Sequence, residues 1–246
     1  MTQVETAPTV PEVGLKLAKY ITAIADKAIA ARGKFTVAVS GGSLPKTLGS
    51  GLLHMNEESK IDFSKWQFLY ADERSVPLDH ADSNHLECKT QIYDPLSISC
   101  ADNVHAIDYS EDVEEVAAKY EKTLASVFGA CDAPQPPVFD LVLLGMGPDG
   151  HTLSLFPGHA LLEERTKLVA SLADSPKPPS KRVTLTYPVC EAARNVAFVT
   201  SGAAKADVVY NIHKEGNSNN YPSGLVKCAN EDGVMWFLDA TAAGKL

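Results

Sequence analysis

Asp149 and His151 stand two residues apart in the loop GMGPDGH, which follows the apolar run FDLVLLG. A neutral imidazole has an ordinary pKa of about 6.5, so it can take a proton from water near physiological pH. A carboxylate beside it fixes the tautomer and stabilises the imidazolium. A satisfied structural histidine is the plain alternative, but a Gly-rich loop at a strand end favours the functional reading. Other polar stretches carry complementary groups. In VSGGSLPKTL, Gly41 and Gly42 lie between a strand and a helix start, where backbone N–H groups and the helix dipole attract an anion. Ser40 and Ser43 add hydroxyl donors there, although a tight turn capped by Ser43 fits the spacing equally well. ADERSVPLDHADSN supplies Asp72, Glu73 and Arg74. The rigid guanidinium fork of Arg74 suits a phosphate or a developing oxyanion, with an ion pair inside the loop as the bland version. Lys205, in TSGAAKADVV, falls at the first turn of a helix, either within reach of a phosphate or simply solvated.

Two other motifs point elsewhere. GMGPDG matches the G-x-G-x-x-G pattern of dinucleotide-binding turns, and Glu163 and Glu164 lie at a tolerable distance for a ribose carboxylate. A true fingerprint opens a long helix in the first βαβ unit, whereas here Pro157–Gly158 interrupts the chain and the motif follows the third strand. No nicotinamide cofactor is therefore expected. His80 and His85 have the four-residue gap of a metal pair on a helix, but their Asp-rich stretch reads as a loop without a third ligand, so no metal is expected. His159, beyond Pro157–Gly158, is placed outside the site.

The elements that must position these groups can be read from periodicity. Val13, Leu17, Ile21, Ile24, Ala28 and Ile29 fall near a 3.6-residue spacing ahead of Gly33, which predicts an amphipathic helix. FTVAVS, WQFLYA and FDLVLLG read as buried strands, and KLVASL, RVTLTYP, NVAFVTSG and VMWFLD as further ones. LPKTLGSGLLHM, SEDVEEVAAKYEKTLASVFG and AAKADVVYNIHKE read as helices. Continuously apolar strands alternating with helices predict an α/β fold, an open and mostly parallel sheet with helices on both faces. The expected layout is a flexible N-terminal lead over residues 1–12 and one domain over 13–246, with DSPKPPSKR and KEGNSNNYPSG as loops inside it. Ligands of such sheets bind beyond the carboxyl ends of the strands. SGGS, ADERSVP, GMGPDGH and TSGAAK all leave strand ends and are expected to converge there.

Composition narrows the class of partner. The 246 residues are 45% hydrophobic and 22% charged, an ordinary globular balance, with a formal net charge of −9. An acidic chain argues against a nucleic-acid or anionic-membrane surface but not against a small anion held by a local cationic cluster. Five widely spaced cysteines without a C-x-x-C argue against a disulfide framework or zinc site and favour a reducing, cytoplasmic setting. The N-terminus lacks a signal-peptide pattern, and no apolar run reaches the roughly 18–20 residues of a membrane span. The oligomeric state is left open, with a monomer favoured.

SGGSLPKTL, ADERSVPLDHADSN, LLGMGPDGHTLSLFPG, SPKPPSKRVTLT and SGAAKADVV, in that order over roughly residues 36–210, together resemble the 6-phosphogluconolactonases of the glucosamine-6-phosphate isomerase/6-phosphogluconolactonase family. The resemblance implies a Rossmann-like fold shared with glucosamine-6-phosphate deaminases. It also implies hydrolysis of 6-phospho-D-glucono-1,5-lactone to 6-phospho-D-gluconate, the second step of the oxidative pentose phosphate pathway, with no metal or organic cofactor. Carried onto this sequence, it makes His151 the base for water and Asp149 its orienter. Arg74 and backbone N–H groups near Gly147 or Gly42 become candidates for the C1 oxyanion. Ser43, Arg182 and Lys205 become candidates for the 6-phosphate, Gly41 and Gly42 bring the backbone close, and Asp72 takes a sugar hydroxyl. Arg182 opens the predicted strand RVTLTYP, and strand starts lie opposite the expected site. The related deaminases differ in carrying a carboxylate a few residues past the histidine and a DEY sequence, where this chain has TLSLFPG and DERSVP. A sugar-phosphate sensor without catalysis is the remaining alternative, although binding alone needs no general base.

Overall fold

The computed structural model describes residues 2–129, 135–230 and 232–246. Its strands are β1 (Thr2–Ala7), β2 (Phe35–Val39), β3 (Trp66–Tyr70), β4 (Asp72–Arg74), β5 (Val104–His105), β6 (Leu141–Leu144), β7 (Val169–Leu172), β8 (Arg182–Leu185), β9 (Val196–Thr200) and β10 (Val234–Asp239). Its helices are α1 (Val10–Arg32), α2 (Leu44–Ser59), α3 (Asn84–Cys88), α4 (Cys100–Asn103), α5 (Val113–Phe128), α6 (Tyr187–Ala192), α7 (Ala206–His213) and α8 (Pro222–Leu225). Seven strands form a parallel sheet in the order β1-β10-β9-β6-β2-β3-β5. Every position of β2, β6 and β9 is buried, as expected of strands covered on both faces. The chain turns one way from β2 to β3 and lies on the other side of β2 at β6. That reversal is the topological switch point, where an open sheet leaves a crevice beyond its carboxyl ends.

Helix α1 has the predicted signals at both ends. Thr9 and Glu12 form a reciprocal capping box, and Gly33 closes the helix in the left-handed region at φ 77°. Its buried stripe is Val13, Leu17, Ala18, Ile21, Ala25 and Ala28, while Ile24 and Ile29 pack at the core's edge. It meets α2 at two glycines: a Cβ on Gly51 would strike the Gly14 carbonyl, and one on Gly14 would strike the Thr47 carbonyl. Gly51→Ala is therefore expected to cost about 1–2 kcal/mol net, because overpacking of about 1–3 kcal/mol outweighs a helix-propensity gain of up to about 1 kcal/mol. Urea unfolding measures it, and an unchanged or raised midpoint would show that the helices separate freely.

Two expectations need correction. Residues 1–12 are not a flexible lead. Thr2–Ala7 pairs in parallel with β10 from Thr2↔Val234 to Ala7↔Asp239, and α1 begins at Val10. An edge strand held by backbone pairing needs no apolar run, and in this one Val4 is exposed while Ala7 is buried. KLVASL and RVTLTYP do form strands, but β7 and β8 lie outside the parallel sheet. They build a separate antiparallel sheet in the order β4-β8-β7. Its third member, β4, is the three-residue polar stretch Asp72–Arg74, which carries no hydrophobic period to reveal it. No helix is long and apolar enough to cross a membrane among the described residues. Cys88, Cys100, Cys190 and Cys228 are free thiols, and Cys131 lies outside the described residues.

Candidate active site

The loops after β2 and β6 leave the sheet side by side, tied by the Ser40 amide donating to the Leu143 carbonyl at 3.0 Å. Gly42 adopts φ 72°, which lets the chain turn into α2. Ser43 is the N-cap of α2, yet its side chain makes no capping hydrogen bond, so the turn does not consume its hydroxyl. The Ser40 hydroxyl is buried and has no partner among the described residues. Gly41 is fixed by packing, because a Cβ there would overlap the Asn84 side chain, whose amide donates to the Asp72 carbonyl at 2.8 Å. Ser40, Gly41, Gly42 and Ser43 line one wall of a pocket. Asp72, Arg74, Gly147, His151, Arg182 and Lys205 line the rest of it, so the four predicted loops do converge.

The Gly147–His151 loop is tightly closed. The Gly147 amide donates to the His151 carbonyl at 2.9 Å, and the Gly150 amide to the Gly147 carbonyl at 3.0 Å. The chain then reverses through a Thr152↔Leu155 bridge, and the next helical piece is the single turn Ala160–Glu163. The long helix that a dinucleotide turn requires is not formed here. His151 Nδ1 lies 2.5 Å from Asp149 Oδ1, and its ring stacks on Phe156 at a centroid distance of 4.7 Å. A Cβ at Gly147 would overlap both the imidazole and the Asp149 carboxylate, so only glycine admits this pair. Burial pushes the His151 imidazole below its usual range, and Asp149 offsets this only in part. Burial would raise Asp149, but its bond to His151 and the Lys177 ammonium outweigh that and hold it down to about 2.

Three cations share the pocket with His151. Arg74 donates from Nη1 to the Asp82 carbonyl at 2.7 Å and keeps its buried Nε without a partner among the described residues. It forms no salt bridge with the loop acids there. Glu73 turns inward instead, accepting from the amides of Arg74, Asn84 and His85 and from the Ser83 hydroxyl, and so holds the start of α3. Burial pushes Glu73 up to about 7, against the pull of those amides. Asp72 is buried and accepts from the Ser154 hydroxyl at 2.9 Å.

Arg182 requires a correction. It does open its strand, but β8 runs antiparallel to β4 with Arg182 opposite Arg74, and this carries the residue into the pocket. Its guanidinium donates to the carbonyls of Lys177, Pro178 and Pro179 at 3.0–3.2 Å and sits 5.7 Å from the Phe156 ring centroid. Lys205 belongs to the short turn Ala203–Lys205 just before α7, and its ammonium donates to the Met146 carbonyl at 2.8 Å. It is not a solvated lysine; burial, and then Lys177, lower its pKa.

Sequence reasoning missed Lys177 as a site residue. Its ammonium lies 3.1 Å from Asp149 Oδ1 and 3.0 Å from His151 Nδ1. The only signal was a cation inside the Pro-rich SPKPP stretch, and nothing in the spacing says that this loop folds over DGH. The other histidines fall outside. His85 Nδ1 bonds the Tyr70 hydroxyl, His80 accepts from the Asp82 amide, and His159 pairs with Asp174. No cluster suited to a metal ion occurs among the described residues.

An imidazole paired with a carboxylate shares its pocket with three cations, at the switch point of a parallel α/β sheet; such an arrangement can attract a small anion and move a proton. A family model described as glucosamine-6-phosphate isomerases/6-phosphogluconolactonase matches residues 8–236. The chain belongs to this family. A probable 6-phosphogluconolactonase of Schizosaccharomyces pombe is 42% identical over 240 residues, covering 95% of this chain and 92% of that one. The solved 6-phosphogluconolactonase from Trypanosoma cruzi superposes with a TM-score of 0.83 at 30% identity, covering 100% and 97% of the two chains. A monomeric glucosamine-6-phosphate deaminase superposes at 0.75 with 20% identity, covering 99% and 100%, which shows the shared fold alone.

Proposed function

We propose that this pocket hydrolyses 6-phospho-D-glucono-1,5-lactone to 6-phospho-D-gluconate in the oxidative pentose phosphate pathway. The observation that carries the reading is His151, paired with Asp149, sharing one pocket with three cations, Arg74, Arg182 and Lys205, in a chain whose net charge is −9. His151 takes a proton from water as its oxygen attacks C1. The carbonyl oxygen becomes an oxyanion, for which Arg74 and the backbone N–H groups near Gly147 or Gly42 are the candidates; such a donor is typically worth about 3–4 kcal/mol. Collapse breaks the bond from C1 to the ring oxygen, and His151 returns the proton to that oxygen. Ser43, Arg182 and Lys205 hold the 6-phosphate, the Ser40 hydroxyl offers a further donor, and Asp72 accepts from a sugar hydroxyl. Four free thiols favour a cytoplasmic setting for this reaction. The deaminase alternative is disfavoured by the acid-free stretch TLSLFPG after His151, and a pure sensor by the presence of a paired base.

The test compares the phosphorylated lactone with unphosphorylated gluconolactone. A charge-assisted hydrogen bond is worth about 1.5–3 kcal/mol, so losing the phosphate, and with it two or more such bonds, is expected to lower kcat/KM by at least about 100-fold. Equal rates would remove the cations from phosphate binding. Ammonia release from glucosamine 6-phosphate without lactone hydrolysis would move the protein to the deaminases.

The pH dependence follows from burial. The base works only when neutral, and His151 is held below the ordinary imidazole value. The acid limb of kcat/KM is therefore expected below about pH 6.5. A limb above that value would contradict a desolvated imidazole as the base.

A further inference from the structure

Two groups of opposite charge converge on one ring nitrogen. Asp149 Oδ1 approaches His151 Nδ1 to 2.5 Å, and the Lys177 ammonium stands 3.0 Å from the same atom. A carboxylate oxygen and an imidazole lone pair repel at that separation, so the hydrogen between them belongs to Nδ1 and is donated to Asp149. Nδ1 then has no lone pair left for the ammonium, which binds the carboxylate instead, 3.1 Å from Oδ1 and 3.1 Å from Oδ2. Among the described residues no hydrogen bond occupies Nε2.

The lysine is held from its own backbone. Ser175 Oγ donates to the Lys177 carbonyl at 2.8 Å and accepts from its amide, and Arg182 donates to the same carbonyl at 3.1 Å. The pocket's own arginine therefore orders the loop that brings Lys177 over Asp149. The other charged groups around the imidazole are Asp72, Arg74, Arg182 and Lys205, all on the pocket wall.

We propose that Lys177 is a positioning residue of this site: it anchors both oxygens of Asp149, so that His151 stays neutral, donates Nδ1–H to the carboxylate and presents Nε2 to the water that attacks the bound lactone. The inference rests on His151 being the base. A carboxylate alone would favour the imidazolium, whereas the second charge of Lys177 offsets that pull. The downward shift of His151 agrees in direction.

The test titrates the His151 ring by NMR in the wild type, Lys177→Met and Lys177→Arg, with the signal assigned from its loss in His151→Asn, and records kcat/KM against pH for each. The wild type is expected to show the Nδ1–H tautomer in its ring ¹⁵N shifts. Lys177→Met is expected to raise the titration midpoint by about one pH unit and to move the acid limb by the same amount. Lys177→Arg, which keeps the charge, is expected to stay near the wild type. An Nε2–H tautomer in the wild type, an unmoved midpoint in Lys177→Met, or an arginine variant matching the methionine variant would overturn the inference. Activity surviving in His151→Asn would instead overturn the base assignment, and the NMR midpoints would still report on Lys177.

Discussion

His151→Ala is expected to slow lactone hydrolysis by about 10²–10⁴-fold while leaving the protein folded, the range typical of losing one positioned acid–base group. No other imidazole stands in the pocket to replace it: His80, His85 and His159 are engaged elsewhere. The ring stacks on Phe156 in the pocket, outside the hydrophobic core cluster, so its removal leaves β2, β6 and β9 intact. The check is kcat from acid release beside a thermal melt followed by circular dichroism. Wild-type turnover in a folded His151→Ala protein would remove His151 as the base and direct attention to Asp72, which is buried in the same pocket.

Gly147→Ala is expected to produce a comparable defect through geometry alone, about 10²-fold in kcat, because displacing a catalytic group by about 1 Å can cost that much. The added methyl falls where the imidazole and the Asp149 carboxylate now lie, so one or both must move. The cations around the phosphate position are untouched, and competitive inhibition by 6-phosphogluconate is expected to stay close to that of the wild type. The comparison separates positioning from binding. Normal kcat in Gly147→Ala would mean that the pair tolerates displacement and that its close contact is incidental.

The parts of the site that could be read from sequence are those carried by strongly periodic elements. β2 and β6 are nearly uninterrupted apolar runs, so the loops that follow them, with Gly41, Gly42, Asp149 and His151, are placed at strand ends by the sequence itself. Arg74 and Lys205 followed from the same rule. What stayed hidden depends on pairings with no local signature. β4 is three polar residues, so the small antiparallel sheet was invisible, and with it the reason Arg182 faces the pocket. Lys177 sits on a loop where its carbonyl is held by Ser175 and Arg182, and no spacing signals that contact. Glu73 is one of the loop acids that could have paired with Arg74, but it is spent on the amides that start α3. β1 escaped notice because an edge strand can be held by its backbone while its side chains stay largely exposed.

The most direct measurement is acid release from freshly generated 6-phosphoglucono-δ-lactone, produced in place by glucose-6-phosphate dehydrogenase, with and without the purified protein. The expected result is hydrolysis far above the spontaneous rate, saturable in lactone and lost in a folded His151→Ala variant. Acid release no faster than the spontaneous reaction, at any pH above the imidazole limb, would contradict the lactonase assignment.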